Sequence, residues 1–347
     1  MSVPEDKSWY WAPLGWLGLE PPIREVSATA MWMRRQRETK VNWPHLYFNW
    51  GWVAWEERQW YSDFVEDSLK LSDCRFVFFG TMGSRWRSQI PFGRGKVFVT
   101  QEDTQTRFLQ YDDYLAGKVD LSLGFKQDDE TQGILRFPIW YEWLLIPSVR
   151  FAEIEASRNQ RWSPRGFVKA IEAWDGTEDR ERFAGLVASH DNRGNGAGLR
   201  KKMHGFMTEL GEVVCAGKLL NNSNVLKEEF GDWIVPFLET CRFNICFENV
   251  SADHYCTEKL FQAFLAGSIP VYWGFSANPE PKILTGNGIV FFDREQPEDT
   301  MELIDRLWKD VDFRKEWMSR PKFKPNAVSL IEGRMLRLEA ELLRIAR

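Results

Sequence analysis

Residues Phe243 to Gly274 read FNICFENVSADHYCTEKLFQAFLAGSIPVYWG. Phe243–Phe247 is an apolar run long enough for a buried strand, and a polar loop, Glu248 to His254, follows it. Leu260, Phe261, Phe264 and Leu265 then recur at helical spacing, which predicts a helix of two to three turns. Gly267 stands where such a helix would end, and Ile269–Trp273 is a second apolar run. Strand, loop, helix and strand of these lengths make a βαβ crossover.

The loop and the first helical turn hold the chemically capable residues: Asn249, Tyr255, Thr257, Glu258 and Lys259. In open α/β sheets ligands bind at the carboxyl ends of strands, and a helix N-terminus offers free N–H groups to an anion. A lysine in the first turn opposes the helix dipole, so Lys259 is easier to understand beneath a bound anion. The alternative is a solvated Lys259 paired with Glu258 or Asp253.

The string FEN…YCTEKLFQAFLAGSIPVYWG resembles the signature of the α-1,3/4-fucosyltransferase family, glycosyltransferase family ten, with Cys256 where valine is usual. The resemblance implies a GT-B-like α/β fold, two Rossmann-like domains facing each other across a cleft. The first domain would bind the acceptor and the second the sugar nucleotide.

Alternation of apolar runs with helical or loop segments agrees with that class. Strand-like runs fall at Arg75–Gly80, Lys96–Thr100, Leu121–Phe125, Phe183–Ser189, Val213–Ala216 and Gly288–Phe292. Helices are expected over Leu199–Leu210, Pro297–Asp310 and Asn326–Arg347, the last with a stripe of Leu330, Ile331, Met335, Leu338 and Leu342. The polar stretch 156–166 contains a proline and reads as a linker. The expected organisation is an acceptor domain over 1–160, a nucleotide-sugar domain over 161–325 and a C-terminal helix over 326–347.

A length of 347 residues suits two domains, and 44% hydrophobic residues suffice for their cores. The net charge of −5 implies no general polyanion surface, hence no nucleic-acid partner, and a diphosphate site would have to be built locally. Five cysteines without a CxxC pair, and four scattered histidines, argue against a disulfide framework or a zinc site. The N-terminus lacks a basic start followed by an apolar core, and no stretch approaches the length of a membrane span. A soluble, cytoplasmic chain is the simplest reading, and a catalytic region cut from a membrane-anchored parent is the alternative.

The resemblance also suggests roles residue by residue. Asn249 and Tyr255 match nucleotide-contacting positions, Glu258 a carboxylate that binds donor hydroxyls, and Lys259 the cation at the leaving diphosphate. Glu248 is expected to support the fold. In the segment SHDNRGNGAGLRKKM, Arg200 takes the place of the diphosphate-binding arginine, with Arg193 as its rival, and His190 replaces the usual asparagine. Lys218, in the turn Cys215–Lys218, is a further candidate. Glu102, delivered by the strand-like run ending at Thr100, matches the presumed general base, with Asp112, Asp113 and Glu130 next in line. Asp310-Val311-Asp312 is a DxD by its letters but reads as a solvated helix face.

The expected function is an inverting transfer of L-fucose from GDP-β-L-fucose to a carbohydrate hydroxyl, O3 of an N-acetylglucosamine or glucose unit. An oligosaccharide or glycoconjugate would be the acceptor, and no metal or cofactor would be required. The alternatives are a different nucleotide-sugar donor on the same fold, or a carbohydrate-binding protein without turnover.

Overall fold

The computed structural model describes residues 46–48, 60–71, 76–82, 85–89, 94–151 and 161–347. In the first half these form β1 (Leu46–Phe48), α1 (Trp60–Leu69), β2 (Phe76–Phe79), β3 (Gly95–Val99), β4 (Leu121–Gly124), β5 (Ile134–Arg136) and α2 (Trp140–Leu144). The five strands pair in sequence order, all parallel. Strands covered on both faces carry unbroken apolar runs, and β2, FVFF, is buried at every position.

The second half continues with α3 (Pro164–Glu172), β6 (Arg182–Leu186), α4 (Leu199–Thr208), β7 (Val213–Cys215), α5 (Val225–Glu228), α6 (Ile234–Glu239), β8 (Cys241–Ile245), α7 (Glu258–Leu265), β9 (Ile269–Tyr272) and β10 (Val290–Phe291). It ends in α8 (Pro297–Lys309), α9 (Val311–Ser319) and α10 (Ala327–Ala346). Its sheet is also parallel, in the order β10-β9-β8-β6-β7. The chain leaves β6 toward β7 on one side and returns to β8 on the other. A crevice opens at such a reversal, and ligands bind there in doubly wound folds.

The predicted βαβ unit is present, with shifted bounds. β8 begins two residues before Phe243, yet the ladder runs past its end, because Cys246 N and Glu248 N donate to Val271 O and Trp273 O at 3.0 and 2.9 Å. Gly267 closes α7 at φ 64°, in the left-handed region that glycine tolerates without a Cβ penalty. Cys256 is wholly buried and fills the apolar role of the usual valine. Among the described residues, Cys215, Cys241, Cys246 and Cys256 are free and buried.

Tertiary packing divides the chain differently from the linear expectation. The first part of the linker reading, 156–160, lies outside the described residues. Its end is ordered: Trp162 exchanges backbone hydrogen bonds with Leu144 and Ile146, and Ser163 caps α3. Phe167 and Ile171 of α3 join the core beneath α1 and α2. The expected C-terminal helix is present as α10. It packs on α1 and α3 through Ala327, Ile331, Met335, Leu338 and Leu342. Leu330, expected on that stripe, is 41% exposed, because it sits about 100° round the helix from Ile331.

One apolar core joins the halves. Phe261 of α7 meets Trp140 and Phe167 at ring-centroid distances of 4.6 and 5.6 Å. Beside it, Arg136 at the end of β5 donates to Glu280 at 2.6 Å, and the Trp140 indole N–H reaches the same carboxylate at 3.2 Å. Both charged side chains are over nine-tenths buried. Removing one partner of such a pair strands the other charge. Glu280→Ala should therefore lower unfolding stability by roughly 3–5 kcal/mol in urea titration, while Arg136→Met/Glu280→Leu should recover most of that loss.

Candidate active site

The signature loop is organised from inside by Glu248. Its carboxylate, 1% exposed, accepts the backbone N–H of Thr257 at 2.7 Å and the Thr257 hydroxyl at 2.8 Å. These bonds fix the residue that precedes α7. The Lys259 ammonium lies 3.7 Å from Glu248 and donates to Thr257 Oγ1 at 2.9 Å and Glu258 Oε1 at 3.4 Å. Burial pushes the Glu248 carboxyl up, against the pull of Lys259 and Thr257. Burial acts to lower the Lys259 pKa, but the Glu258 and Glu248 carboxylates outweigh it and hold the lysine above its usual value. Lys259 is thus neither a solvated surface lysine nor a partner of Asp253.

Asn249 and Tyr255 follow from the same loop. Tyr255 is buried and packs its ring on Phe125 of the first half, with centroids 4.6 Å apart. Arg200, 5% exposed, donates to His190 O and Phe247 O at 2.6 Å each and to Asn249 Oδ1 at 3.0 Å. It ties the loop after β6 to the loop after β8, and burial lowers its pKa. Its position is behind Asn249, where a smaller cavity is lined by Arg200, Glu258, Lys259 and Gln262.

The glycine-containing turn is packed at Gly194 and Gly196. A Cβ at Gly196 would come 2.6 Å from Trp273 and 2.9 Å from Asn249 O, and Asn195 exchanges hydrogen bonds with Ser251 backbone. Asp191 accepts the backbone N–H groups of Arg200 and Lys201 and so occupies the start of α4. The turn thus serves packing, and Arg193 is the residue through which it approaches Glu102, 4.0 Å away. Lys218 is exposed and lines none of the cleft, although with Arg193, Arg107 and Arg200 it adds to a positive field that, after slight burial, lowers the pKa of His190.

The opposite wall is the carboxyl edge of the first sheet. Beyond β3, Thr100 Oγ1 donates to Glu102 O at 2.5 Å and turns the chain. The Glu102 carboxylate projects toward the second half, 3.4 Å from Arg107 and 4.0 Å from Arg193. Asp103 points elsewhere, 4% exposed, and accepts the N–H groups of Gln105, Thr106 and Arg107. The reserve carboxylates are all paired outside the cleft: Asp112 with Lys126, Asp113 with Arg85 and Glu130 with Arg337.

A cleft of about 220 Å³ lies between these walls. Gly80, Thr81, Met82, Gln101 and Glu102 line it from the first half, and Asn249, Tyr255, Thr257, Glu258 and Lys259 from the second. Glu142 also lines it, and sequence reasoning missed it. It is 8% exposed, accepts the Gln101 amide at 2.9 Å on each oxygen, and is pushed up to about 7, chiefly by burial. Its sequence context, WYEWLL, signalled only an acidic residue amid apolar ones.

No group of three or more potential metal ligands occurs among the described residues. Asp310 of the DxD is not on a continuous helix face. It separates α8 from α9 and caps the latter by accepting Phe313 N–H at 2.9 Å. No helix among the described residues is long and apolar enough to cross a membrane.

Residues 177–329 match the family model described as glycosyltransferase family 10 (fucosyltransferase) C-term. An alpha-(1,3)-fucosyltransferase FucT of Helicobacter pylori is 24% identical over 212 residues, covering 57% of this chain and 41% of that protein. The 4-galactosyl-N-acetylglucosaminide 3-alpha-L-fucosyltransferase 9 of Mus musculus is 44% identical over 89 residues, covering 24% of this chain and 25% of that protein. The matches thus span less than half the length of these curated relatives. A crystal structure of an alpha1,3-fucosyltransferase with GDP-fucose aligns at a TM-score of 0.52 with 19% identity, over 85% of this chain and 89% of that one. That likeness establishes the GT-B-like fold.

Lys259→Ala should do more than weaken an anion site, because it leaves the buried Glu248 without its cation. A stability loss of roughly 3–5 kcal/mol is expected. Glu248 already titrates above its usual range, and losing the ammonium raises it further. A carboxyl raised in the folded state is stabilised by protonation, so the deficit should shrink from alkaline to mildly acidic pH in thermal melts. A deficit independent of pH would show that Glu248 is not its source.

Proposed function

We propose that this chain, whose residues 177–329 match the model of glycosyltransferase family 10 (fucosyltransferase) C-term, is a fucosyltransferase that moves L-fucose from GDP-β-L-fucose to a carbohydrate hydroxyl, O3 of an N-acetylglucosamine or glucose unit, with inversion to an α-linked product. One observation carries this reading: the cleft sets Glu102, from the first sheet, opposite Asn249, Tyr255, Glu258 and Lys259 at the crevice of the second.

Glu102 removes the acceptor proton as the hydroxyl oxygen bonds to the anomeric carbon from the face opposite the leaving group. The bond from that carbon to the β-phosphate oxygen breaks in the same step, and its electron pair departs with GDP. Glu258, with several acceptor sites on its carboxylate, binds fucose hydroxyls. Lys259, Arg193 and the free N–H groups at the start of α7 meet the charge that grows on the β-phosphate. Arg200 acts behind them by holding Asn249. With cations in that role the reaction needs no metal, and EDTA should leave turnover intact.

GDP and GDP-fucose should raise the melting temperature, by about 2.7 kcal/mol of added stability at a hundredfold excess over Kd, while UDP should not. An equal response to UDP would overturn the donor assignment. Glu102→Gln keeps shape but cannot take a proton. It should leave GDP affinity unchanged and lower kcat by about two to four orders of magnitude. Asp103→Asn should instead lower thermal stability, since Asp103 holds the turn. A Glu102→Gln enzyme with normal turnover would remove Glu102 from the mechanism.

A further inference from the structure

We propose that Glu142, oriented by Gln101 and flanked by Trp143, positions the acceptor sugar by accepting hydrogen bonds from hydroxyls of a neutral pyranoside. The proposal rests on the fucosyltransferase reading of the same cleft.

The Gln101 amide is the polar partner of Glu142 among the described residues, and no ion pair reaches the carboxylate there. Burying a carboxylate without a paired cation is costly. A carboxylate offers about four acceptor sites, so one amide nitrogen leaves most of that capacity unused, on a side chain that lines the cleft. Sugar hydroxyls are donors that would use it.

The surroundings suit a sugar. Trp143, the next residue, is 50% exposed, and Met82 is 38% exposed, yet both line the cleft. Ile139, one turn before Trp143, lines it as well. A pyranoside presents an apolar C–H face and a rim of hydroxyls, which matches an indole and aliphatic floor beside a fixed carboxylate. Glu142, Trp143 and Gln101 lie on the first-half wall, away from the donor residues of the signature loop. Glu102 and Glu142 make the first-half wall of the cleft acidic, so a sugar unit bearing a carboxylate or sulfate at this position is repelled.

Several groups bear on the titration of Glu142. Gln101 and Arg161 favour the ionised form, and Glu258 of α7 opposes it. The phenols of Tyr47 and Tyr61, on β1 and α1, are buried and stay neutral, their ionisation opposed first by burial and then in part by Glu142. Glu102 and Lys259 share the cleft. The ionised carboxylate is the better hydroxyl acceptor, so acceptor capture should weaken as pH falls through about 7.

The test uses N-acetyllactosamine as the probe, with transfer kinetics from GDP-fucose and donor-free binding by saturation-transfer NMR. Glu142→Gln should raise the acceptor KM roughly ten- to a hundredfold, lower kcat less, leave the GDP-induced thermal shift unchanged and abolish the acid limb centred near 7. Trp143→Ala, at an exposed position, should raise the same KM without altering the pH profile. If transfer occurs and neither variant moves the acceptor KM, the acceptor role of Glu142 is overturned and the fucosyltransferase reading stands. If the chain binds the glycan in a Glu142-dependent way but transfers nothing from GDP-fucose, the donor reading fails and the sugar subsite stands. A chain that neither binds nor transfers to the glycan overturns both.

Discussion

A carboxylate sealed from water must find its hydrogen bonds within the protein, and Glu248 finds them in the N–H and hydroxyl of Thr257, with the Lys259 ammonium as its counter-charge 3.7 Å away. That requirement shapes the whole signature loop. Eight residues lie between Glu248 and Thr257, so the intervening chain must close on itself and bring Tyr255 against Phe125 of the first half. The same bonds set the start of α7 and put Glu258 and Lys259 on the cleft wall. A residue with a structural task therefore decides where the chemical ones stand.

The two sheets do not meet only across solvent. α7 is buried almost all round, with its far face against Trp140 and Phe167 and its start at the cleft. The buried Arg136–Glu280 pair ties β5 to the loop after β9 beside it. Glu102 and Lys259 thus belong to walls joined by one continuous core, which limits how far the proposed base and the proposed diphosphate cation can drift apart. Arg193 adds a contact that a ligand can exchange. It stands 4.0 Å from Glu102 of the first half, and the diphosphate of the proposed donor would compete for the same guanidinium.

Two residue types that look alike in the sequence have opposite tasks in the fold. Arg193 lies in the loop after β6 and Arg200 in the first turn of α4, but Arg200 spends its donors on three backbone and side-chain oxygens, whereas Arg193 reaches across to Glu102. Glu102 and Asp103 are adjacent acids, and only Asp103 is consumed by local N–H groups. Spacing cannot separate such pairs, because the difference lies in which backbone groups another loop brings within reach.

The local pattern by itself determined the βαβ unit at Phe243–Gly274, the parallel α/β class and the gathering of Asn249, Tyr255, Glu258 and Lys259, because periodicity, a turn glycine and an apolar run act over a few residues. It also made Glu102 a candidate, through the strand that delivers it. Tertiary structure alone decided that α10 and α3 close the core of the first half, that Leu330 faces outward, and that the glycine-containing turn is packing material. It alone revealed Glu142, an acid in an apolar helix whose meaning depends on Gln101, forty-one residues earlier. Burial, and the hydrogen bonds that burial demands, are properties of segments brought together from distant parts of the chain, and no stretch of sequence read alone contains them.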